Sequence, residues 1–402
     1  MYSFQSVTED LYYVGVDDHR LNLFENIHPL PYGVSYNSYI LMDEKTVMFD
    51  CVDYSMGHQF IENVKGVLGD RKLDYLIMNH LEPDHASTLA EILLIYPEVT
   101  VVSNEKALLF MGQFGYHADH TLVVKEGDEL CVGKHVLTFA FAPMVHWPEV
   151  MITYDKTDKV AFTADAFGTF GSLSGRLFAD ELPFDRPWID EARRYYTNIV
   201  GKFGANVQRA LKKLSSFDIQ YICPLHGPVW RENTEFFIDL HNHWSTYTPE
   251  EEGVLIIYAS MYGNTASVCR KLADDLSEAG MKNIKMMDVS LSNTSYIIAE
   301  IFRYSHLVFA SPTYNLGCFP LMDNLLTDMA ALNVQNRTVA LIENGTWAIK
   351  AGAIMKEKIL SMKNMNLLEN LLTIKSSLPD EEYYKITEFK DQLIASMPWM
   401  QS

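Results

Sequence analysis

The chain has 402 residues, 48% hydrophobic and 21% charged, which exceeds one typical core and is too apolar for disorder, so two domains are expected. No apolar run approaches the roughly 18 residues of a membrane helix, and Met1-Tyr2-Ser3-Phe4-Gln5-Ser6 lacks the parts of a signal peptide, so a cytoplasmic protein with no membrane partner is expected. A net charge of −20 argues against nucleic acid, and five scattered cysteines without a C-x-x-C pair argue against a disulfide framework or a thiolate-built metal centre.

Up to about residue 245, strand-like runs alternate with turns and a few helical stretches, the pattern of an α/β sandwich. Strands are expected over 11–16, 36–42 and 46–50, and a helix over 57–68 with Phe60, Ile61, Val64 and Leu68 on one face. The apolar run 73–78 then leads into Asn79-His80-Leu81-Glu82-Pro83-Asp84-His85. Four side chains able to ligate a metal fall within six positions here, and Pro83 interrupts a continuing strand or helix, so the stretch reads as a metal-binding loop at a strand end. Good helix formers follow over 86–95.

Three later residues share that placement. His146 follows the strand run 135–141, Asp165 ends the run 160–164, and His226 follows 219–224, each beside turn-forming residues. Strand ends on one edge of a sandwich can converge although they are distant in sequence. Seven ligands exceed the four of a tetrahedral zinc site, so the count points to two metals. The mixture of imidazoles with Glu82, Asp84 and Asp165 suits iron as well as zinc. Spacing alone does not say which ligands share an ion, though the loop must turn near Pro83 to present them together. Tyr195 and Tyr196 are candidate hydrogen-bond donors to this centre.

Residues 241–253 read as a polar linker, with His241 and His243 as surface residues, and the domains are placed at 1–248 and 249–402. Next, the buried-strand run 254–259 passes into Ser260-Met261-Tyr262-Gly263-Asn264-Thr265 and an amphipathic helix carrying Ala266, Cys269, Leu272 and Leu276. A strand, a hydroxyl- and glycine-containing loop and a helix N-terminus make an anion site. This is neither a Walker loop nor G-x-G-x-x-G. It resembles the phosphate loop of flavodoxins. Strand runs 306–310 and 338–342 lead into two further loops, Ser311-Pro312-Thr313-Tyr314-Asn315-Leu316-Gly317 and Glu343-Asn344-Gly345-Thr346-Trp347. Such loops at the carboxyl ends of parallel strands hold a flat cofactor, with Tyr314 and Trp347 placed to flank a flavin ring. One phosphate loop without an adenine half favours FMN.

The order H-x-E-x-D-H, His, Asp, His resembles the metallo-β-lactamase fold, with Glu82 where a second His is usual. An αββα sandwich of that type followed by a flavodoxin-like doubly wound parallel sheet resembles the flavodiiron proteins over nearly the whole chain. The resemblance implies that His80, Glu82 and His146 bind one iron, that Asp84, His85 and His226 bind the other, and that Asp165 bridges them. It also implies reduction of dioxygen to water or of nitric oxide to nitrous oxide, and a head-to-tail homodimer or dimer of dimers. The chain departs from the family at Glu149-Val150, where Asp-Ser is usual, and at Thr169-Phe170, where many members carry Gln-His. With no C-x-x-C pair for a fused rubredoxin and no room for a reductase module, electrons are expected from a separate donor, rubredoxin or a reduced deazaflavin coenzyme. The competing reading is a zinc hydrolase tethered to a flavodoxin, which Glu82 disfavours.

Overall fold

Short strands with alternating or continuous apolar faces dominate residues 1–242, and each buried face needs a partner layer. The structure, a computed structural model, describes residues 1–183 and 187–400. It divides into two units, Met1–Asn242 and His243–Ser402. Among the described residues no helix is long and apolar enough to cross a membrane.

The first unit packs a seven-stranded sheet against a five-stranded one. Tyr39, Phe49, Ile77 and Val102 from one sheet meet Leu137, Phe139, Met151 and Phe162 from the other, all buried. The rings of Phe49 and Phe162 stack at 3.7 Å and 9° across this core. The helix Gly57–Leu68 buries Phe60, Val64 and Leu68, completing the αββα layering expected of the sequence. Several local readings are revised. The run 11–16 is two strands, Leu11–Tyr13 and Val16–Asp18, broken at Gly15, where a Cβ would lie 2.4 Å from the Tyr36 carbonyl oxygen. The helix expected over 86–95 is two pieces, Pro83–Ala86 and Leu89–Ile95. Pro83 therefore opens a helical turn instead of merely interrupting structure, because its missing N–H costs nothing at a first helical position.

The second unit is a parallel sheet with strand order Ile284–Asp288, Glu251–Tyr258, Tyr304–Tyr314, Thr338–Asn344 and Asn366–Ile374, plus a short antiparallel strand Gly317–Cys318. In sequence order this is 2-1-3-4-5, the flavodoxin-like winding. The helices Asn264–Glu278 and Tyr384–Ala395 cover one face through Val268, Leu272, Leu276, Ile386, Phe389 and Leu393. The stretch read as a linker is more ordered than expected. The helix Thr234–Ser245 runs through its start, and Trp244 and Tyr247 are buried. His241, expected at the surface, is also buried, with its ring 4.5 Å from Phe167 and 4.7 Å from Phe237. Burial lowers its pKa to about 4, so it is neutral.

Candidate metal centre and cofactor cleft

The topology explains the convergence of the ligand-type residues. The strands Val160–Phe162 and Tyr221–Cys223 pair in parallel with Phe162 opposite Cys223, so Asp165 and His226, each three residues further on, emerge at one sheet edge. His80 stands three residues beyond the strand Tyr75–Ile77 of the facing sheet. Its loop is pinned by the buried Asp50, whose Oδ1 accepts from the backbone N–H groups of Asn79 and His80 at 2.7 and 3.1 Å. Glu82 is still extended, and the turn Pro83–Ala86 then swings Asp84 and His85 toward the same point.

All seven residues meet there, in two groups. One contains His80, Glu82, His146 and Asp165, and the other contains Asp84, His85 and His226. In the first, Glu82 Oε2 lies 3.2 Å from His80 Nε2 and 2.9 Å from His146 Nε2. Asp165 Oδ2 lies 3.3 and 3.2 Å from the same two nitrogens. The other oxygen, Oδ1, faces the second group, 3.1 Å from His85 Nε2 and 3.8 Å from His226 Nε2. Asp84 Oδ2 is 3.4 and 3.2 Å from those nitrogens. Donor atoms bound to one ion at about 2.1 Å stand about 3.0 Å apart at right angles and about 3.4 Å apart at tetrahedral angles. The observed separations fall in or close to that range.

Proton placement sharpens the fit. His226 Nδ1 is 2.7 Å from the Ser35 carbonyl, which can only accept, so Nδ1 carries a hydrogen and Nε2 is turned toward the Asp84 carboxylate, 3.2 Å away. Two acceptors in contact need a cation or a proton between them. The buried Asp84, Asp165 Oδ1 and His226 Nε2 atoms have no hydrogen-bond partner. His80 is oriented likewise: its Nδ1–H donates to Glu149 Oε1 at 2.7 Å, and the same oxygen accepts from Leu81 N–H at 3.1 Å. Glu149, one of the two departures from the family pattern, is thus the buried carboxylate that fixes His80. Burial alone would favour neutral imidazoles here, but Asp165 and its fellow carboxylates outweigh it, raising His80 and pushing His146 up to about 9. Conversely, Asp165 is held well below the usual carboxylate range by His85 and His80 against its burial.

The surroundings differ on the two sides. Around His226 stand the rings of Phe24, Tyr195 and Tyr36 at 5.3, 5.5 and 5.7 Å. Phe170, the second departure, packs on Phe24 and Tyr195 and completes this aromatic wall. The Tyr195 hydroxyl faces Asp165, whereas Tyr196 packs edge-on against His241 at 5.4 Å. Close enough to feel the Glu82 charge is a residue absent from the sequence-based site, Glu25. Burial and the Glu82 charge raise Glu25 to about 7. No spacing motif marks Glu25, and none marks Glu149 as a partner of His80.

In the second unit, a cleft of about 200 Å³ opens at the carboxyl ends of the parallel strands. It is lined by Ser260, Met261, Tyr262, Asn264 and Thr265, by Pro312, Thr313 and Asn315, and by Asn344, Gly345, Thr346 and Trp347. Ser260 Oγ accepts from Gly263 N–H and Ala266 N–H at 3.1 and 3.3 Å, folding the first loop onto the N-terminus of its helix. Four expected residues lie outside the lining. Gly263 supplies the left-handed turn at φ 93°, Ser311 Oγ caps the Phe319 N–H, Gly317 pairs with Tyr314, and Tyr314 packs on Phe319. Leu316 of the second loop also lines the cleft, as do Ala348 and Ser376, which none of the three expected loops contains. Ser376 exchanges two backbone hydrogen bonds with the Asn344 side chain, a fourth loop with no recognisable motif. Peptide N–H groups, hydroxyls and a helix N-terminus suit the phosphate and polar edge of a flavin mononucleotide.

Comparison with known proteins bears on both units. Residues 34–227 match the model of the ODP family beta lactamases, and residues 256–383 match the flavodoxin model. A nitric oxide reductase of Moorella thermoacetica is 30% identical over 363 residues, covering 89% of this chain and 90% of that protein. An anaerobic nitric oxide reductase flavorubredoxin of Aliivibrio fischeri is 31% identical, covering 90% of this chain and 73% of the relative. The crystal structure of the flavodiiron protein from Giardia intestinalis superposes with a TM-score of 0.90 at 25% identity, covering 100% of this chain and 99% of the other. The chain belongs to the flavodiiron proteins, a family of oxidoreductases with a lactamase-like and a flavodoxin-like part.

Proposed function

We propose that this protein reduces dioxygen to water, nitric oxide to nitrous oxide, or both, with His80, Glu82 and His146 holding one iron, Asp84, His85 and His226 the other, and Asp165 spanning the pair. The carrying observation is the division of Asp165, whose Oδ2 faces one imidazole group and whose Oδ1 faces the other. When bound, two ferrous ions and a reduced FMN supply up to four electrons and open coordination positions, matching four-electron dioxygen reduction and two-electron coupling of two NO. The protein's part is positioning. Glu149 and the Ser35 carbonyl hold Nδ1–H of His80 and His226, so that Nε2 of each ring points inward. Phe24, Phe170 and Tyr195 keep water from one side of the pocket. Ser260, Thr313 and Asn344 would orient the FMN. Electrons come from an external donor, rubredoxin or a reduced deazaflavin, to a cytoplasmic enzyme working as a homodimer or dimer of dimers.

The test is the metal and flavin content of protein purified without oxygen from iron-replete cells. Two irons and one FMN per chain are expected, with Glu82→Ala losing iron while retaining FMN. Two zincs and no iron would replace this reading with the hydrolase, and iron without FMN would remove the coupled electron supply.

A further inference from the structure

Asn344 ends the strand Thr338–Asn344 and is 6% exposed, in register with Pro312 on one side and Ile374 on the other. Its side-chain amide faces the loop that follows the last parallel strand, Asn366–Ile374. Oδ1 accepts from Ser376 N–H at 3.1 Å, and Nδ2 donates to the Ser376 carbonyl at 3.1 Å. A backbone N–H can only donate and a carbonyl can only accept, so this pair fixes which end of the amide is which. The second hydrogen of Nδ2 is then directed to Thr265 Oγ1, 3.3 Å away in the first turn of the helix Asn264–Glu278. Ser376 makes this exchange from the left-handed region, at φ 70°, a conformation that favours glycine.

Both Asn344 hydrogens are thereby committed to protein groups, and neither is left for a cofactor. The consequence falls on Thr265, which is 2% exposed and part of the cleft lining. Its oxygen accepts from an amide nitrogen that can only donate, so its own hydroxyl hydrogen is left to donate elsewhere. Among the described residues that hydrogen meets no acceptor. Ser260 is placed alike, its Oγ accepting two backbone N–H groups. A ligand group that offers only acceptors, as a phosphate does, is matched by two such hydroxyls. We infer that Asn344 is a positioning residue for the phosphate end of the cofactor: braced by Ser376, it sets the Thr265 hydroxyl as a donor to that phosphate and so favours the phosphorylated flavin over the free one. This rests on the FMN reading above.

The test is flavin-fluorescence quenching of the full chain, freed of flavin and titrated with FMN or with riboflavin, which lacks the phosphate. Wild type should prefer FMN. In Asn344→Asp a carboxylate oxygen takes the place of Nδ2 and draws the Thr265 hydrogen away from the phosphate. FMN should then bind about tenfold or more weakly, with riboflavin within about twofold of wild type, as for a lost hydrogen bond to a charged group. Thr265→Val should show the same selective loss. Asn344→Ala, which adds no charge and serves should Asn344→Asp fail to fold, should weaken FMN selectively by about threefold or more. Combined with Thr265→Val, its loss should not add, since both act on one hydroxyl. Equal weakening of FMN and riboflavin in the Asn344 variants would mark the residue as merely structural and overturn the inference. So would additive losses, or a wild-type ratio of FMN to riboflavin affinity in Thr265→Val. A wild-type chain that binds neither flavin would overturn the FMN reading itself, and this inference with it.

Discussion

Glu149 shows how one side chain can preserve a site while departing from a family pattern. Its carboxylate reaches His80 Nδ1 at 2.7 Å from a fully buried position, and its own backbone carbonyl is held by Asn104 Nδ2 at 2.6 Å. Removing it would free the imidazole to rotate and leave Leu81 N–H without its acceptor. Glu149→Ala should lower metal affinity about 10- to 100-fold, whereas Glu149→Asp, which keeps the acid, should lose less. Metal retained after dialysis against a graded chelator series measures this, and unchanged near-ultraviolet circular dichroism would show that the fold survives. The Phe170 departure acts differently, since it adds aromatic surface over Arg194 and against Tyr195 without touching a ligand atom. It shapes the pocket wall and leaves the ligand set alone.

At the scale of an element, the strand–loop–helix unit from Glu251–Tyr258 to Asn264–Glu278 depends on a single backbone conformation. Gly263 precedes the helix at φ 93°, and nothing lies within 4 Å of the position a Cβ would take, so an alanine there would meet no clash and would bear only the cost of the left-handed backbone. Gly263→Ala should cost about 1–2 kcal/mol in the conformation that aims the loop N–H groups into the cleft, weakening FMN roughly tenfold or more. Quenching of FMN fluorescence on titration gives the affinity, and the metal content of the same sample should be unaffected.

At the scale of the whole molecule, ligand protonation couples the metal centre to stability. In the metal-free chain burial disfavours charged His146, but hydrogen bonds and charge from Asp165 and Glu82 more than offset it and raise the pKa to about 9 from an ordinary 6.5. A raised imidazole stabilises the folded state fully below about pH 6.5 and loses that contribution as pH rises through about 9. The metal-free chain should therefore become easier to unfold in urea between pH 6 and 9. The loaded protein, in which a metal replaces the proton at Nε2, should not, and its metal uptake in this window should release protons. Urea midpoints at both pH values, with and without metal, check the sign.

Hydropathy period, the Pro83 turn and the H-x-E-x-D-H spacing are local properties, and they were enough to place seven ligand-type residues at strand ends and three loops at the ends of a parallel sheet. They also carried the family resemblance, because the order of those segments along the chain is itself sequence. What the chain alone could not decide was how these residues group in space. Parallel pairing of Val160–Phe162 with Tyr221–Cys223, strands far apart in sequence, brings Asp165 and His226 to one sheet edge, where the two oxygens of Asp165 face different imidazoles. Burial of His241 was equally unreadable, since a histidine near a helix end looks exposed until Phe167 and Phe237 close over it. The partnerships of Glu149 with His80 and of Ser376 with Asn344 carry no motif because each joins segments distant in sequence, and only packing of the tertiary structure brings such groups within reach.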